Sequence, residues 1–238
     1  MVLKRLGIKF NDIGKRLGLI KKDDNKRQGV KEVPKKKNTA QNMMDDEEKL
    51  SANIAEDVYN KERHDFGDYK YQAEDSDGDR GVWYNANLKK TRIGYKGTDN
   101  LKDVYTDTID PRGNILSGSQ RNNPQYKKDL DHYDKISAKY GNDIRLSGHS
   151  LGGSRTYNVS KQRNVRGDAF NTGRGKDKQM ILDKARCNLP NPPKWCDKMT
   201  SLRIRGDPLS VANRLAYGRH KTFNTAGLKS HSMGNFQK

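Results

Sequence analysis

A single stretch, from Asp143 to Gly153, constrains the fold of this chain more than any other, and it reads DIRLSGHSLGG. Ile144 and Leu146 predict a short buried strand, and the pattern G-x-S-x-G follows directly, with Ser150 at its centre. This pattern is typical of a sharp strand-to-helix turn with a serine at its apex. Glycines flank such a turn because the neighbouring backbone leaves no room for a Cβ atom. The stretch therefore predicts a strand, a strained turn at the serine and a helix directly after it.

The start of that helix has a chemical consequence. The first N–H groups of a helix have no partner within the helix, so those beginning at Leu151 point toward Ser150 and favour negative charge there. Donors placed in this way stabilise the oxyanion of acyl transfer. A second donor is expected from the loop after an early strand. We predict that Thr98 supplies it, because Thr98 follows the predicted strand Thr91–Tyr95.

A serine hydroxyl becomes a good nucleophile when a histidine removes its proton and a carboxylate orients that histidine. In proteins that carry this turn, the chain order is serine, acid, histidine. Only His220 and His231 follow Ser150 in the sequence. His220 lies within a run of basic residues, so we predict that His231 is the base.

The predicted acid is Asp207, which comes just after the predicted strand Leu202–Arg205. Catalytic groups gather just past the carboxyl ends of the strands in an open parallel sheet. Two other carboxylates compete for the role, but Asp168 lies inside a predicted strand and Asp183 inside a predicted helix. Asp207 is therefore preferred.

The remaining segments predict an α/β fold. Strands are predicted at Val82–Tyr84, Thr91–Tyr95, Val165–Phe170 and Leu202–Arg205, and helices at Ser51–Lys61 and Tyr126–Tyr140. Strands that alternate with helices imply a largely parallel sheet with helices on both faces. The acidic segment Glu74–Asp79 is predicted to be a solvated hairpin turn, because Ala86 stands where a calcium-binding loop needs a glutamate.

Taken together, the motifs resemble those of the class 3 lipases, the fungal-lipase-like α/β-hydrolases. The segments that carry the resemblance are Tyr95-Lys96-Gly97-Thr98, Gly148–Gly153, Gly206-Asp207-Pro208 and the histidine near the carboxyl terminus. The resemblance spans roughly Val82 to Phe236. It implies an α/β-hydrolase that cleaves lipid esters without a metal or a cofactor. The implied triad is Ser150, Asp207 and His231, with Thr98 and Leu151 as the oxyanion residues.

Three departures from the pattern of these lipases stand out. Lys96 occupies the position of the arginine in the oxyanion motif. The helix after Ser150 carries polar residues where small apolar residues are usual, namely Ser154, Arg155, Thr156 and Asn158. No apolar helix is evident between Thr98 and Gln125. These departures weaken the case for triglyceride droplets as the substrate and leave phospholipids or soluble esters open.

The chain carries a net charge of +18, and much of it lies at the amino terminus. Residues 1–40 contain 13 Lys/Arg against four Asp/Glu. Residues 1–22 have the spacing of a basic amphipathic helix, which is typical of attachment to an anionic membrane surface, although packing on its own domain or a disordered tail remain alternatives. Residues 23–48 are predicted to be a linker and residues 49–238 the α/β-hydrolase domain. Neither a signal peptide nor a transmembrane segment is predicted.

The same positive charge also supports a second class of function, that of a binding protein. An inactive lipase-like fold with a basic tail would bind nucleic acid, a membrane or the interior of a virion. The intact set of serine, acid and histidine favours the enzyme.

Cys187 and Cys196 flank a proline-rich segment and are predicted to form a disulfide or to remain two free thiols.

Overall fold

A computed structural model describes residues 40–97, 124–172, 178–207, 216–224 and 232–236. The predictions for residues 1–22, Thr98 and His231 lie outside these ranges. The helices are α1 (Ala40–Met43), α2 (Asp46–Asp57), α3 (Pro124–Tyr140), α4 (Leu151–Arg163) and α5 (Lys178–Cys187). The strands are β1 (Lys70–Tyr71), β2 (Arg80–Asn85), β3 (Lys90–Tyr95), β4 (Ile144–His149), β5 (Arg166–Phe170), β6 (Met199–Ile204) and β7 (Arg219–Phe223).

Within the described ranges, the strands form one sheet in the order β1-β2-β3-β4-β5-β6-β7. β1, β2 and β3 pair antiparallel, whereas β3 to β7 pair parallel. Successive residues of β5 show that helices cover both faces, because Phe170 packs with Ala52 of α2 and Ala169 packs with Tyr157 of α4. The predicted α/β class, with a mostly parallel sheet flanked by helices, is confirmed.

The fold begins before residue 49, inside the range that the sequence predicted to be a linker. Ala40 and Met44 lie in the same apolar cluster as Phe170, with 1% and 5% of their surfaces exposed. Glu48 is fully buried, and its carboxylate accepts a hydrogen bond from Lys221 of β7 (2.7 Å). Asp45 and Glu48 form a capping box that starts α2, which explains why this acidic segment is helical.

A buried polar network joins α2 to the middle of the sheet. Arg145 of β4 donates to both carboxylate oxygens of Asp168 (2.7 and 3.0 Å), and the hydroxyl of Ser51 donates to the same carboxylate (2.6 Å). Glu47 of α2 pairs with Arg92 and Arg145. Asp168 is fully buried, so losing one cation would leave an unpaired charge in the core.

The polar helix α4 packs by the same means. Arg155 is 3% exposed, and its guanidinium donates two hydrogen bonds to the fully buried Asp129 of α3 (2.8 and 2.6 Å). Its remaining nitrogen donates to the carbonyl of Lys96 (2.8 Å). The Thr156 hydroxyl likewise donates to the carbonyl of Gly152 (2.9 Å), so these two polar side chains of α4 have hydrogen-bond partners inside the fold.

Cys187 and Cys196 form a disulfide, with Cα atoms 5.4 Å apart. The bond links the end of α5 to a short 3₁₀ turn at Lys194–Asp197. Of the alternatives that the sequence left open, the paired state is the one found. None of the described helices is long and apolar enough to cross a bilayer.

The acidic segment after β1 is a hairpin connection, as predicted, but it is not fully solvated. The carboxylate of Asp75 is buried and accepts hydrogen bonds from Lys139 (2.5 Å) and the Tyr140 hydroxyl (2.7 Å) of α3. Lys135 adds an ion pair at 3.2 Å. Burial by itself would raise the pKa of Asp75, but these donors outweigh it and lower the pKa to about 2.

The depressed pKa predicts an acid-sensitive contact. Asp75 stabilises the fold fully above its unfolded pKa near 4, and this contribution is lost as the pH falls toward 2. We expect Asp75→Asn to lower the free energy of unfolding at pH 7 by about 2 kcal/mol and to reduce the loss of stability between pH 4 and 2. Urea unfolding as a function of pH measures both effects. The exposed Asp68→Asn is the matched control, and equal pH profiles for the two variants would contradict the assignment.

Candidate active site

The turn at Ser150 has an unusual backbone. β4 ends at His149, α4 begins at Leu151, and Ser150 between them has φ 56° and ψ −122°. A residue with a side chain rarely adopts this conformation, which costs of the order of 1–3 kcal/mol unless its surroundings enforce it. The strand-turn-helix geometry that the motif predicts is therefore present, with the serine at the strained position.

Backbone crowding enforces the turn. A Cβ atom on Gly148 would lie 2.3 Å from the carbonyl oxygen of Gly152. One on Gly152 would lie 2.1 Å from the carbonyl oxygen of Tyr95, at the end of β3. Real Cβ atoms do not approach backbone oxygens so closely, and backbone cannot move aside as a flexible side chain can. Only glycine fits at both positions.

The hydroxyl of Ser150 is buried, since the residue is 2% exposed. Its backbone N–H donates to the carbonyl of Phe170 at the end of β5 (3.0 Å). Among the residues that the structure describes, none hydrogen-bonds to Ser150 Oγ. The fold therefore fixes the serine backbone while its side chain is not committed to a neighbour within those residues.

The segment that leads to Thr98 lies against the turn. A Cβ atom on Gly97 would be 2.7 Å from the carbonyl oxygen of His149 and 3.2 Å from the backbone nitrogen of Gly152. Thr98 itself lies outside the described ranges, so its oxyanion role stays a prediction. The neighbouring backbone shows that this segment approaches the start of α4.

Tyr59 connects the two segments, a role that the sequence did not predict. Its hydroxyl accepts a hydrogen bond from the N–H of Gly97 (2.9 Å) and donates one to the carbonyl of His149 (3.4 Å). The Tyr59 ring also meets the edge of the His149 ring, with centroids 6.2 Å apart. One side chain therefore holds the end of β3 beside the residue that precedes the serine.

Asp207 lies directly beyond β6 and is fully buried. Its backbone N–H donates to the carbonyl of Ile204 (3.2 Å). Asn171, just after β5, supports the same edge because its side-chain oxygen accepts the N–H of Ile204 (2.9 Å). Ser150 and Asp207 therefore both follow the carboxyl ends of parallel strands, where the sequence placed them.

The two competing carboxylates are engaged in ion pairs. Asp168 is held by Arg145, and Asp183 accepts a hydrogen bond from Lys161 (2.6 Å). Both side chains are almost completely buried, so each balances the charge of its neighbour within the fold. The role of Asp207 as the acid stays a prediction.

The histidines in the described ranges also have contacts of their own. These contacts are His64 Nδ1 with the Asp57 carboxylate (2.7 Å), His132 Nε2 with the Asp75 carbonyl (2.8 Å), the His149 ring with Tyr59 (6.2 Å between centroids) and His220 Nε2 with the Ala216 carbonyl (2.9 Å). His132 is half-buried. His220 is exposed on β7, in line with its rejection as the base.

No group of His, Cys, Asp or Glu side chains suited to a metal ion occurs among the described residues. Ser150, Leu151 and Asp207 share one edge of the sheet. Thr98 and His231, the other two predicted site residues, lie outside the described ranges.

Comparison with protein-family models and with curated proteins finds no match. Among solved structures, the nonglycosylated Yarrowia lipolytica LIP2 lipase aligns with a TM-score of 0.50 at 15% identity, covering 81% of this chain and 84% of that chain. The fold is lipase-like. A second structure of Lip2 lipase from Yarrowia lipolytica gives a TM-score of 0.48 at 18% identity, covering 77% and 80% of the two chains. A triacylglycerol lipase from Penicillium expansum gives 0.42 at 14%, covering 78% and 81%.

The crowding at Gly152 predicts a large effect of a single methyl group. We expect Gly152→Ala to lower the free energy of unfolding by about 1–3 kcal/mol or more, because the added Cβ meets rigid backbone. Gly78→Ala is the control, since nothing lies within 4 Å of a Cβ built there. Urea unfolding compares the two variants, and equal stabilities would show that the turn is not close-packed.

Proposed function

We propose that the protein hydrolyses carboxylic esters of lipids, with Ser150 as the nucleophile. The observation that carries this proposal is the strained backbone of Ser150 between β4 and α4. Strain of this kind persists where the surroundings over-determine it, and it clusters at active sites. A lipase-like fold with the serine at this position supports an ester hydrolase over a binding protein.

We assign His231 as the base. Every described histidine is engaged elsewhere, and none hydrogen-bonds to the serine hydroxyl. Support comes from the residues that follow His231 in the chain. Met233 and Phe236 pack in the cluster that contains Phe170, whose carbonyl holds the N–H of Ser150. The chain two residues from His231 is therefore anchored in the cluster next to the serine.

The proposed chemistry follows from these assignments. His231 removes the proton from Ser150 as its oxygen attacks the ester carbonyl, and Asp207 orients the imidazole and stabilises its charged form. The N–H of Leu151, at the first turn of α4, and Thr98 hold the oxyanion. His231 then protonates the departing alcohol, and water releases the acyl group from Ser150 by the reverse proton path.

The charge of the chain favours an anionic lipid as the substrate. With a net charge of +18, the protein is attracted to surfaces rich in acidic phospholipid. We therefore propose phospholipid esters ahead of neutral triglycerides. Attachment through residues 1–22 remains a prediction from the sequence.

Replacement of the nucleophile gives the direct test. We expect Ser150→Ala to abolish the turnover of short p-nitrophenyl esters and the release of fatty acid from anionic phospholipid vesicles, while the protein stays folded. Ser154→Ala is the matched control, because it removes another buried hydroxyl one turn along α4. If Ser150→Ala retained wild-type turnover, the hydrolase proposal would fail and the binding-protein alternative would gain support.

Tyr59 is expected to act as a positioning residue. Tyr59→Phe removes the hydroxyl that joins Gly97 to His149, a contact worth about 0.5–1.5 kcal/mol. We expect kcat for p-nitrophenyl esters to fall roughly three- to tenfold with little change in KM, because the hydroxyl hydrogen-bonds to backbone groups that position the site.

The control is Tyr84→Phe, which removes a tyrosine hydroxyl from the ring pair with Tyr140. Thermal unfolding of both variants separates positioning from stability. A fall in kcat that merely follows a lower melting temperature would contradict the positioning role.

A further inference from the structure

A cationic cleft lies at the amino end of the parallel strands, away from the edge that carries Ser150. Its volume is about 420 Å³, and it lies between the starts of β5, β6 and β7. The residues that line it are Arg145, Arg166, Gly167, Asp168, Asp197, Lys198, Thr200 and Arg219. Parallel strands of five or six residues place it roughly 17–20 Å from the carboxyl edge. The cleft is therefore separate from the candidate active site.

The cations of this cleft differ in how they are neutralised. Arg145 is paired with the buried Asp168, as described above. Among the described residues, Arg166 and Lys198 make no ion pair, and the one hydrogen bond of the Arg219 guanidinium is a long one to the Thr200 hydroxyl (3.4 Å). The fold thus leaves three positive charges in one concavity.

The acidic residues do not offset this charge. Asp168 is committed to Arg145 and Ser51. Asp197 is exposed and forms no ion pair within the described residues. In addition, Arg166 is the register partner of Arg145 on the next strand, and like charges in this arrangement repel each other. Three unpaired cations against one carboxylate leave the cleft with an excess of positive charge.

We propose that this cleft binds a small, soluble anion that carries phosphate groups. The planar guanidinium groups of Arg166 and Arg219 match phosphate oxygens in pairs, and Lys198 adds a point charge. The volume lies within the range of small-ligand pockets. A concave site suits a compact anion better than a flat bilayer, and its place at the opposite end of the strands separates it from the lipid that Ser150 would meet.

The test measures the binding of inorganic pyrophosphate to the full chain by isothermal titration calorimetry. The cleft variant is Arg166→Gln with Arg219→Gln, and the control is Lys127→Gln with Lys128→Gln, which removes the same charge from exposed positions on α3. We expect saturable binding to wild type and control, and at least tenfold weaker binding to the cleft variant. The melting temperature should rise with pyrophosphate in the first two proteins only.

Three outcomes would overturn the proposal. The first is that pyrophosphate shows no saturable binding to wild type. The second is that the cleft and control variants bind pyrophosphate with equal affinity, which would assign the binding to the general charge of the protein. The third comes from parallel assays that measure binding to anionic phospholipid vesicles and to a labelled DNA duplex. If the cleft variant lost binding to vesicles or DNA but bound pyrophosphate normally, the cleft would serve a macromolecular surface. None of these outcomes depends on the activity of Ser150.

Discussion

The close approach of β3 to the start of α4 is the constraint on which the candidate site depends. The carbonyl of Tyr95 lies where a side chain at Gly152 would begin, and Gly97 lies against the carbonyl of His149. These contacts are between backbone atoms, so sequence changes elsewhere can adjust them only slightly. They hold Ser150 in its strained conformation and bring the segment before Thr98 to the first turn of the helix. The turn at Ser150 therefore depends on two chain segments, the end of β3 and the junction of β4 with α4. The G-x-S-x-G motif belongs only to the second.

A polar interior explains how a chain with 31% hydrophobic residues and a mean hydropathy of −1.14 forms this fold. Arg155 with Asp129 holds α4 to α3, and the Asp168 carboxylate that pairs with Arg145 ties the sheet to α2 through its hydrogen bond from Ser51. Buried ion pairs of this kind are weak evidence for high stability, since desolvation offsets most of the attraction. They do require specific partners, because either charge left alone in the core is costly. Pairing thus determines how each helix docks.

Sequence patterns predicted the parts of the molecule whose structure depends on residues close together in the chain. The spacing of glycines around Ser150 predicted the turn there, and the apolar period of Tyr126–Tyr140 predicted α3 almost to the residue. β7 was missed because Arg219–Phe223 is basic and lies at the edge of the sheet, where side chains face water. The buried state of Asp75 and the role of Tyr59 were missed for another reason. Their partners lie far along the chain, so only the folded arrangement reveals them.

Helix α4 joins the polar interior to the candidate site. Its first residues form the turn at Ser150, and one turn later Arg155 donates to the carbonyl of Lys96, in the segment that precedes Thr98. The ion pair with Asp129 fixes that guanidinium, so the same buried charge that docks the helix also restrains the strand beside the serine. The backbone of Lys96 is thus held by an arginine from α4. We infer that packing and site geometry are coupled through this one side chain.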